Sequence, residues 1–163
     1  MRESMARLTT QFSANRAVRE YTEGHYIPAA AAYRERAADK GAVGAQVVNW
    51  QHTLEQQWVT LRFGEMKVVS DPEKHGFEVE VYLGSLDPNY VRVELYADGV
   101  NGGEPERHEM TRGRGQQLTD VNRYIYSAQV PATRPAAHYS VRVIPQHEGV
   151  AVPLEVNQIL WQR

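Results

Sequence analysis

Cysteine is absent from this chain of 163 residues. No disulfide, thiolate metal site or cysteine nucleophile can form, and the chain suits a reducing, cytoplasmic setting. Long apolar runs are missing too, and the mean hydropathy is −0.56, so no helix is expected to cross a membrane. Residues 1–12 carry no apolar core of the signal-peptide kind. Charge of one sign is lacking: 18 Lys and Arg stand against 20 Asp and Glu, for a net charge of −2. That balance leaves no electrostatic footprint for nucleic acid or an acidic membrane. The HExxH, GxSxG, Walker and dinucleotide-fingerprint motifs are all absent.

What is present is ordinary globular material. The apolar fraction is 42% and the charged fraction 23%, in a length that can bury a core. The hydrophobic period divides the chain in two. Over residues 1–61 it is helical. Met1, Met5 and Leu8 already fall at helical spacing, so the chain reads as opening inside a helix, as a piece of a longer protein would. Ser13 is placed to cap the next helix through its hydroxyl. Val18, Tyr21 and His25 continue the spacing, and Pro28 should end or kink the helix near Ile27. Residues 29–38 are alanine-rich and helix-prone, and Gly41 and Gly44 break that run. Val47, Trp50, Leu54, Trp58 and Leu61 then form one apolar stripe, which should pack on the sheet that follows.

From residue 62 the period is two. Phe77, Val79, Val81 and Leu83 alternate with polar residues, as do Val91, Val93 and Leu95. Residues 124–130, 139–144 and 159–161 continue the pattern, and 62–69 and 106–111 are weaker runs. Turn residues bound each run, among them Asp71-Pro72, Asp87-Pro88-Asn89 and Asp98-Gly99. Seven short strands with no intervening helix predict a mainly β fold. The expected architecture is a seven-stranded antiparallel immunoglobulin-like sandwich over 62–163, preceded by two or three α-helices in 1–61.

Little of this carries chemistry. His108-Glu109 and His147-Glu148 are neighbours whose side chains point apart on a strand. The acids are too scattered to argue a glycosidase pair. Residues 112–115, Arg-Gly-Arg-Gly, read as a solvated hairpin loop. No catalytic, cofactor-binding or metal-ligating residue is assigned. The tyrosines stand out. Tyr82, Tyr90 and Tyr96 fall out of phase with the core valines, together with Arg92 and Glu94. Either they form an outer row that stacks on sugar rings, or they pack against the N-terminal helices.

Longer motifs point to a family. Residues 12–30, from Phe12 and Ser13 through Arg16, Glu20, Tyr21, Tyr26 and Pro28, resemble the F-S-x-x-R-M-V-x-E-Y-x-E-x-Y-Y-x-P-A segment of bacterial α-glucan phosphorylases. Residues 134–150, with Pro153-Leu154-Glu155 and Ile159-Leu160-Trp161, resemble that family's terminal RPAxDYTxRVxPxHxxxxxPLExxxILW. Residues 91–99 are similar as well. Departures are Ala17 for Met, His25 for Tyr and His138 for Asp.

The resemblance implies a C-terminal region of a glycogen phosphorylase-like glycosyltransferase. The parent reaction would be phosphorolysis of α-1,4-glucan to glucose 1-phosphate. Pyridoxal phosphate would be the parent's cofactor, held by a lysine in a glycine-rich motif. Lys40, Lys67 and Lys74 lie in no such motif, so this segment is expected to hold no cofactor. Phe12, Arg16, Glu20, Tyr21 and Tyr26 would hold the last core helix against the catalytic domains. An apolar patch around Phe12, Val18 and Tyr21 would be left for that partner or for self-association into a homo-oligomer. The implied role is non-catalytic docking and stabilisation. The alternatives are an α-glucan-binding module and a free-standing immunoglobulin-like interaction domain.

Overall fold

The computed structural model describes residues 9, 13–113 and 122–163. Met1, Met5, Leu8, Phe12, Arg114 and Gly115, which entered the expectations above, lie outside these. The chain divides into two compact units, Met1–Gln46 and Val47–Arg163.

The first unit is helical. Helix α1 spans Ala14–Tyr21 and is capped as expected: Ser13 is extended, and its hydroxyl accepts from the Arg16 N–H at 3.3 Å. The helix does not end at Ile27. A π-helical turn, Thr22–Tyr26, leads directly into α2, Ile27–Gln57. In that turn the Ile27 N–H reaches back to the Thr22 carbonyl. The wider turn falls just ahead of Pro28, whose nitrogen cannot donate and whose ring crowds an ordinary turn. The span Ile27–Gln57 is two helices meeting at a kink, Ala38–Gly41, where Asp39, Lys40 and Gly41 have φ of 49°, 61° and 81°, so the run breaks at Gly41 as expected.

The second unit begins on the apolar stripe. Val47, Trp50, Leu54 and Leu61 are buried, and Trp58 packs against the same core. This end of α2 meets loop residues. The Trp50 and His147 rings lie 4.9 Å apart, and Ser85 bonds to Gln57. Gly84, at φ 60°, lies where a Cβ would stand 2.5 Å from the Thr60 hydroxyl, so the chain passes there only without a side chain.

Eight strands follow: β1 Arg62–Ser70, β2 Lys74–Tyr82, β3 Val91–Ala97, β4 Glu106–Glu109, β5 Thr111–Arg112, β6 Arg123–Pro131, β7 Ser140–Pro145 and β8 Leu160–Trp161. They form two antiparallel four-stranded sheets, ordered β1-β2-β6-β5 and β4-β3-β7-β8. Both sheets contribute to one core. Phe77, Val79, Val81, Tyr126 and Val130 come from the first, and Val91, Val93, Leu95, Val141 and Val143 from the second. Burying the two inner faces against each other removes the apolar half of each alternating strand from water.

The count of seven strands is corrected to eight because the run 106–111 is two strands. Glu106–Glu109 pairs with β3 in one sheet, and Thr111–Arg112 pairs with β6 in the other. Met110 makes the crossing, with its side chain buried and its N–H bonded to the Val93 carbonyl at 2.9 Å.

Candidate functional site

Four of the five residues expected to dock lie among the described residues of the helical unit. Arg16 Nε lies 3.0 Å from Glu20 Oε1, an i,i+4 pair along α1. Tyr21 faces His25, ring centroids 6.1 Å apart. Tyr21, Tyr26, Val18 and Ile27 are all exposed, and neither α1 nor the π turn buries a single residue. A shallow groove of about 440 Å³ runs along this surface between Val18, Arg19, Thr22 and Ile27.

The structure does not bring Tyr82, Tyr90 and Tyr96 together. Tyr82 lies on β2, in the first sheet. The Arg62 guanidinium sits 4.3 Å from its ring centroid. The β1 strand shifts register between Phe63 and Met66. There a Cβ on Gly64 would stand 2.8 Å from the Tyr82 ring, so the glycine lets β1 lie against that ring. Tyr90 ends a short 3₁₀ turn, Pro88–Tyr90, and is packed partly against the core. Tyr96 lies on β3, in the second sheet. The ring partners of Tyr82 and Tyr96 come from the strands beside them in each sheet.

Tyr96 belongs to a built cluster. Its ring meets Trp161 edge to face at 5.4 Å, and its hydroxyl donates to Asp98 at 3.1 Å. Arg142 lies 4.4 Å from the Tyr96 ring centroid and 5.3 Å from that of Trp161. Below them is Glu94, whose carboxylate is taken by two arginines. Arg92 reaches Oε1 at 2.8 and 2.7 Å, and Arg142 reaches Oε2 at 2.9 and 2.7 Å. Glu94 is only 4% exposed. A carboxylate so buried is tolerated because both oxygens are paired. Strand register builds the group: Glu94 faces Arg142 across β3 and β7, and Arg142 faces Trp161 across β7 and β8.

Sequence reasoning missed a second place. Beside the β4 to β5 crossing lies a cleft of about 470 Å³, lined by Pro88, Asn89, Arg92, Glu109, Arg112 and Gln146, with Tyr126 at its wall. The Tyr126 side chain is buried, and its hydroxyl has no hydrogen-bond partner. Burial pushes that hydroxyl's pKa up, and the nearby Arg112 charge opposes the shift. The two groups interact electrostatically without meeting donor–acceptor geometry. The only sequence sign was Tyr126 sharing its phase with the inward-facing Val130.

No group of three His, Asp or Glu side chains among the described residues is arranged to hold a metal. Neither do the lysines fit a pyridoxal phosphate imine. Lys40 is exposed in the helix break, Lys67 lies 3.8 Å from Glu65 with its side chain 62% exposed, and Lys74, itself exposed, bonds to the Gln129 side chain. None is enclosed with a phosphate cradle.

The molecule is thus a mainly β domain of two packed antiparallel sheets, preceded in the chain by helix. Residues 58–163 match the family model described as glycogen phosphorylase C-terminal domain, and the chain belongs to that family. It is 27% identical, over 170 residues, to the maltodextrin phosphorylase of Thermococcus litoralis, covering 99% of this chain and 20% of that protein. It is 24% identical over 170 residues to the glycogen phosphorylase of Mycobacterium tuberculosis, covering 98% and 19%. The glycogen phosphorylase of Mycobacterium bovis is similar at the same level. The chain spans about a fifth of the length of these relatives. Among the described residues, no helix is long and apolar enough to cross a membrane.

Proposed function

We propose that this chain is the non-catalytic C-terminal part of an α-glucan phosphorylase, a cytoplasmic glycosyltransferase that uses pyridoxal phosphate in its catalytic domains. Residues 1–61 serve as the end of the catalytic core and a linker helix. The strands of 62–163 stabilise and assemble the enzyme. The observation that carries this reading is the family match, joined to relatives named as phosphorylases of which this chain spans about a fifth. Arg16, Glu20, Tyr21 and Tyr26 are the docking residues, and the catalytic domains cover the apolar side chains that α1 and the π turn leave exposed. The strand orders β1-β2-β6-β5 and β4-β3-β7-β8 correspond to A-B-E-D and C′-C-F-G, which supports an immunoglobulin-like topology.

The test is direct. The 163-residue chain, given maltodextrin, inorganic phosphate and pyridoxal phosphate, releases no glucose 1-phosphate. Release would overturn the reading. In the longer protein, removing 47–163 lowers stability or assembly, and an enzyme unchanged in both would also overturn it.

A second reading makes the domain an α-glucan-binding module. Tyr96 and Trp161 favour it, as an edge-to-face aromatic pair held by Arg142 on the outer side of the second sheet. Calorimetric titration with maltoheptaose tests it, and heat retained in Tyr96→Ala would remove Tyr96 from the site.

A further inference from the structure

The cleft at the β4 to β5 crossing has what a small-ligand site needs and the outer-face cluster lacks: an enclosed, unanswered polar group. Tyr126 is 4% exposed and its hydroxyl makes no hydrogen bond of full geometry, with the Arg112 side chain its nearest polar influence. Leaving such a group dry is costly, because it has given up water without receiving a partner. The crossing itself makes the cleft. Strands β4 and β5 are short and belong to different sheets, so the sandwich edge opens there beside Met110.

The lining selects the class of ligand. Asn89, Thr111, Gln146 and Tyr126 can each donate and accept. Arg92 and Arg112 only donate, and ionised Glu109 only accepts. Charge is balanced, since Arg92 is neutralised by Glu94 at 2.7 Å and Glu109 stands in the same wall as Arg112. A phosphate or carboxylate would want donors and a net positive field. A hydroxyl both donates and accepts, so a ligand carrying several of them matches this mixed wall. Pro88 supplies apolar surface for the C–H face of a sugar ring, over a floor of the buried Val91, Val93 and Met110. The polar heads are also held in place. Arg92 is fixed by Glu94, and Arg112 donates to the Asn89 side-chain oxygen at 3.3 Å and leans on Tyr124 at 5.6 Å. Preorganised donors of this kind lose little freedom on binding.

We infer that this cleft binds a neutral, hydroxyl-rich ligand of the sugar class, with the Tyr126 hydroxyl bonded to one ligand hydroxyl and Arg112 and Gln146 to others. That the sugar is a short α-glucan rests on the proposed function. The polyol class rests on the lining alone.

The test uses the 163-residue chain, with maltotriose as probe and inorganic phosphate as the anion control. Shifts of backbone amide resonances on titration locate the site. Maltotriose is expected to move residues 88–93, 109–112, 126 and 146, and phosphate is not. Tyr126→Phe removes one oxygen from an unpaired position. It should keep or raise the thermal midpoint while weakening maltotriose roughly tenfold, as loss of a hydroxyl from a site built to use it does. Arg112→Gln should weaken binding as well, and Tyr96→Ala should not. The inference is overturned by any of three results: no shifts at the cleft with either maltotriose or cellotriose, unchanged affinity in Tyr126→Phe, or phosphate binding there in preference to sugar. A cleft that takes another neutral sugar such as cellotriose but not maltotriose keeps the class and removes the α-glucan assignment. None of these outcomes touches the docking role, which the phosphorolysis and truncation measurements test separately.

Discussion

The Tyr139 hydroxyl donates a 2.9 Å hydrogen bond to Oε2 of Glu106, tying the start of β7 to β4 in the sheet where both lie beside β3. Arg134 grips the other oxygen of the same carboxylate at 3.2 Å and the Asp98 carbonyl at 2.8 Å. The turn before β7 is thereby fastened to two strands' ends. The Tyr139 bond, with help from His108 and Arg134, holds the Glu106 carboxyl below its ordinary value. Burial, and then the same bond, push the Tyr139 hydroxyl above its own.

Those shifts set a pH dependence. Glu106 is depressed in the folded state, so its contribution is complete above the ordinary carboxylate range and is lost as pH falls through the depressed value. Asp71 acts in the same sense, its carboxylate accepting from the Glu73 and Lys74 N–H groups at 2.9 and 2.8 Å. Tyr139 is raised, so its contribution is complete below the ordinary tyrosine value and lost as pH climbs through the raised one. Tyr139→Phe should therefore be less stable at neutral pH, with the deficit shrinking as pH falls through the carboxylate range, because the parent loses the Glu106 contribution there and the variant has little of it to lose. Urea midpoints from pH 2 to 7 check this, and a deficit as large at pH 2 as at pH 7 would refute it.

Glu94 joins two arginines that would otherwise face each other. Glu94→Gln should cost about 3–5 kcal/mol, the range for stripping one partner from a buried ion pair. Coupling of Glu94 to Arg142, whose side chain is 12% exposed, should exceed its coupling to Arg92, at 36%. Denaturant titrations of a double-mutant cycle measure both. A loss under about 1 kcal/mol would mean that the cluster contributes nothing in sum.

Leu54 is fully buried within the core that the strands share. Leu54→Ala should cost about 2–5 kcal/mol. It should lower the helical circular dichroism and tryptophan fluorescence midpoints together, since helix and sheets share one core. Val48→Ala, at an exposed position on the same helix, should change stability by no more than about 0.5 kcal/mol. Separate transitions for the two signals would show that the end of α2 melts independently.

The docking role predicts a split between the short chain and the long protein. Val18→Asp and Tyr21→Asp alter exposed side chains, so the isolated chain should keep its midpoint within about 0.5 kcal/mol. The same substitutions in the longer protein should speed its thermal inactivation, because they place charge in a covered apolar surface. Equal inactivation half-lives for variant and parent would count against docking through this face.

Much of the fold was legible because its signals are local. An apolar residue at every second position declares a strand whatever its neighbours are, and the stripe from Val47 to Leu61 declares a helix face. Ser13 as cap and the inward phase of Val79, Val81, Val93 and Leu95 followed from the same kind of reading. At Pro28 the expectation was an end or a kink, and the structure has a π turn where an end would be, because one proline has several local outcomes and the sequence does not choose among them. The run 106–111 was misread because its alternation holds across Met110, and only pairing with β3 on one side and β6 on the other divides it.

The sequence by itself determined which residues face inward, where the helix meets the core, and, through its terminal motifs, the family. Tertiary structure alone decided the sheet order, the strand switch at Met110, the meeting of Glu94 with Arg142 forty-eight positions away, and the cleft against Tyr126. The physical reason is the range of the forces. Side-chain alternation is set within a few residues of backbone, whereas register and sheet exchange are set by hydrogen bonds and burial between segments far apart in the chain, whose partners no single segment encodes.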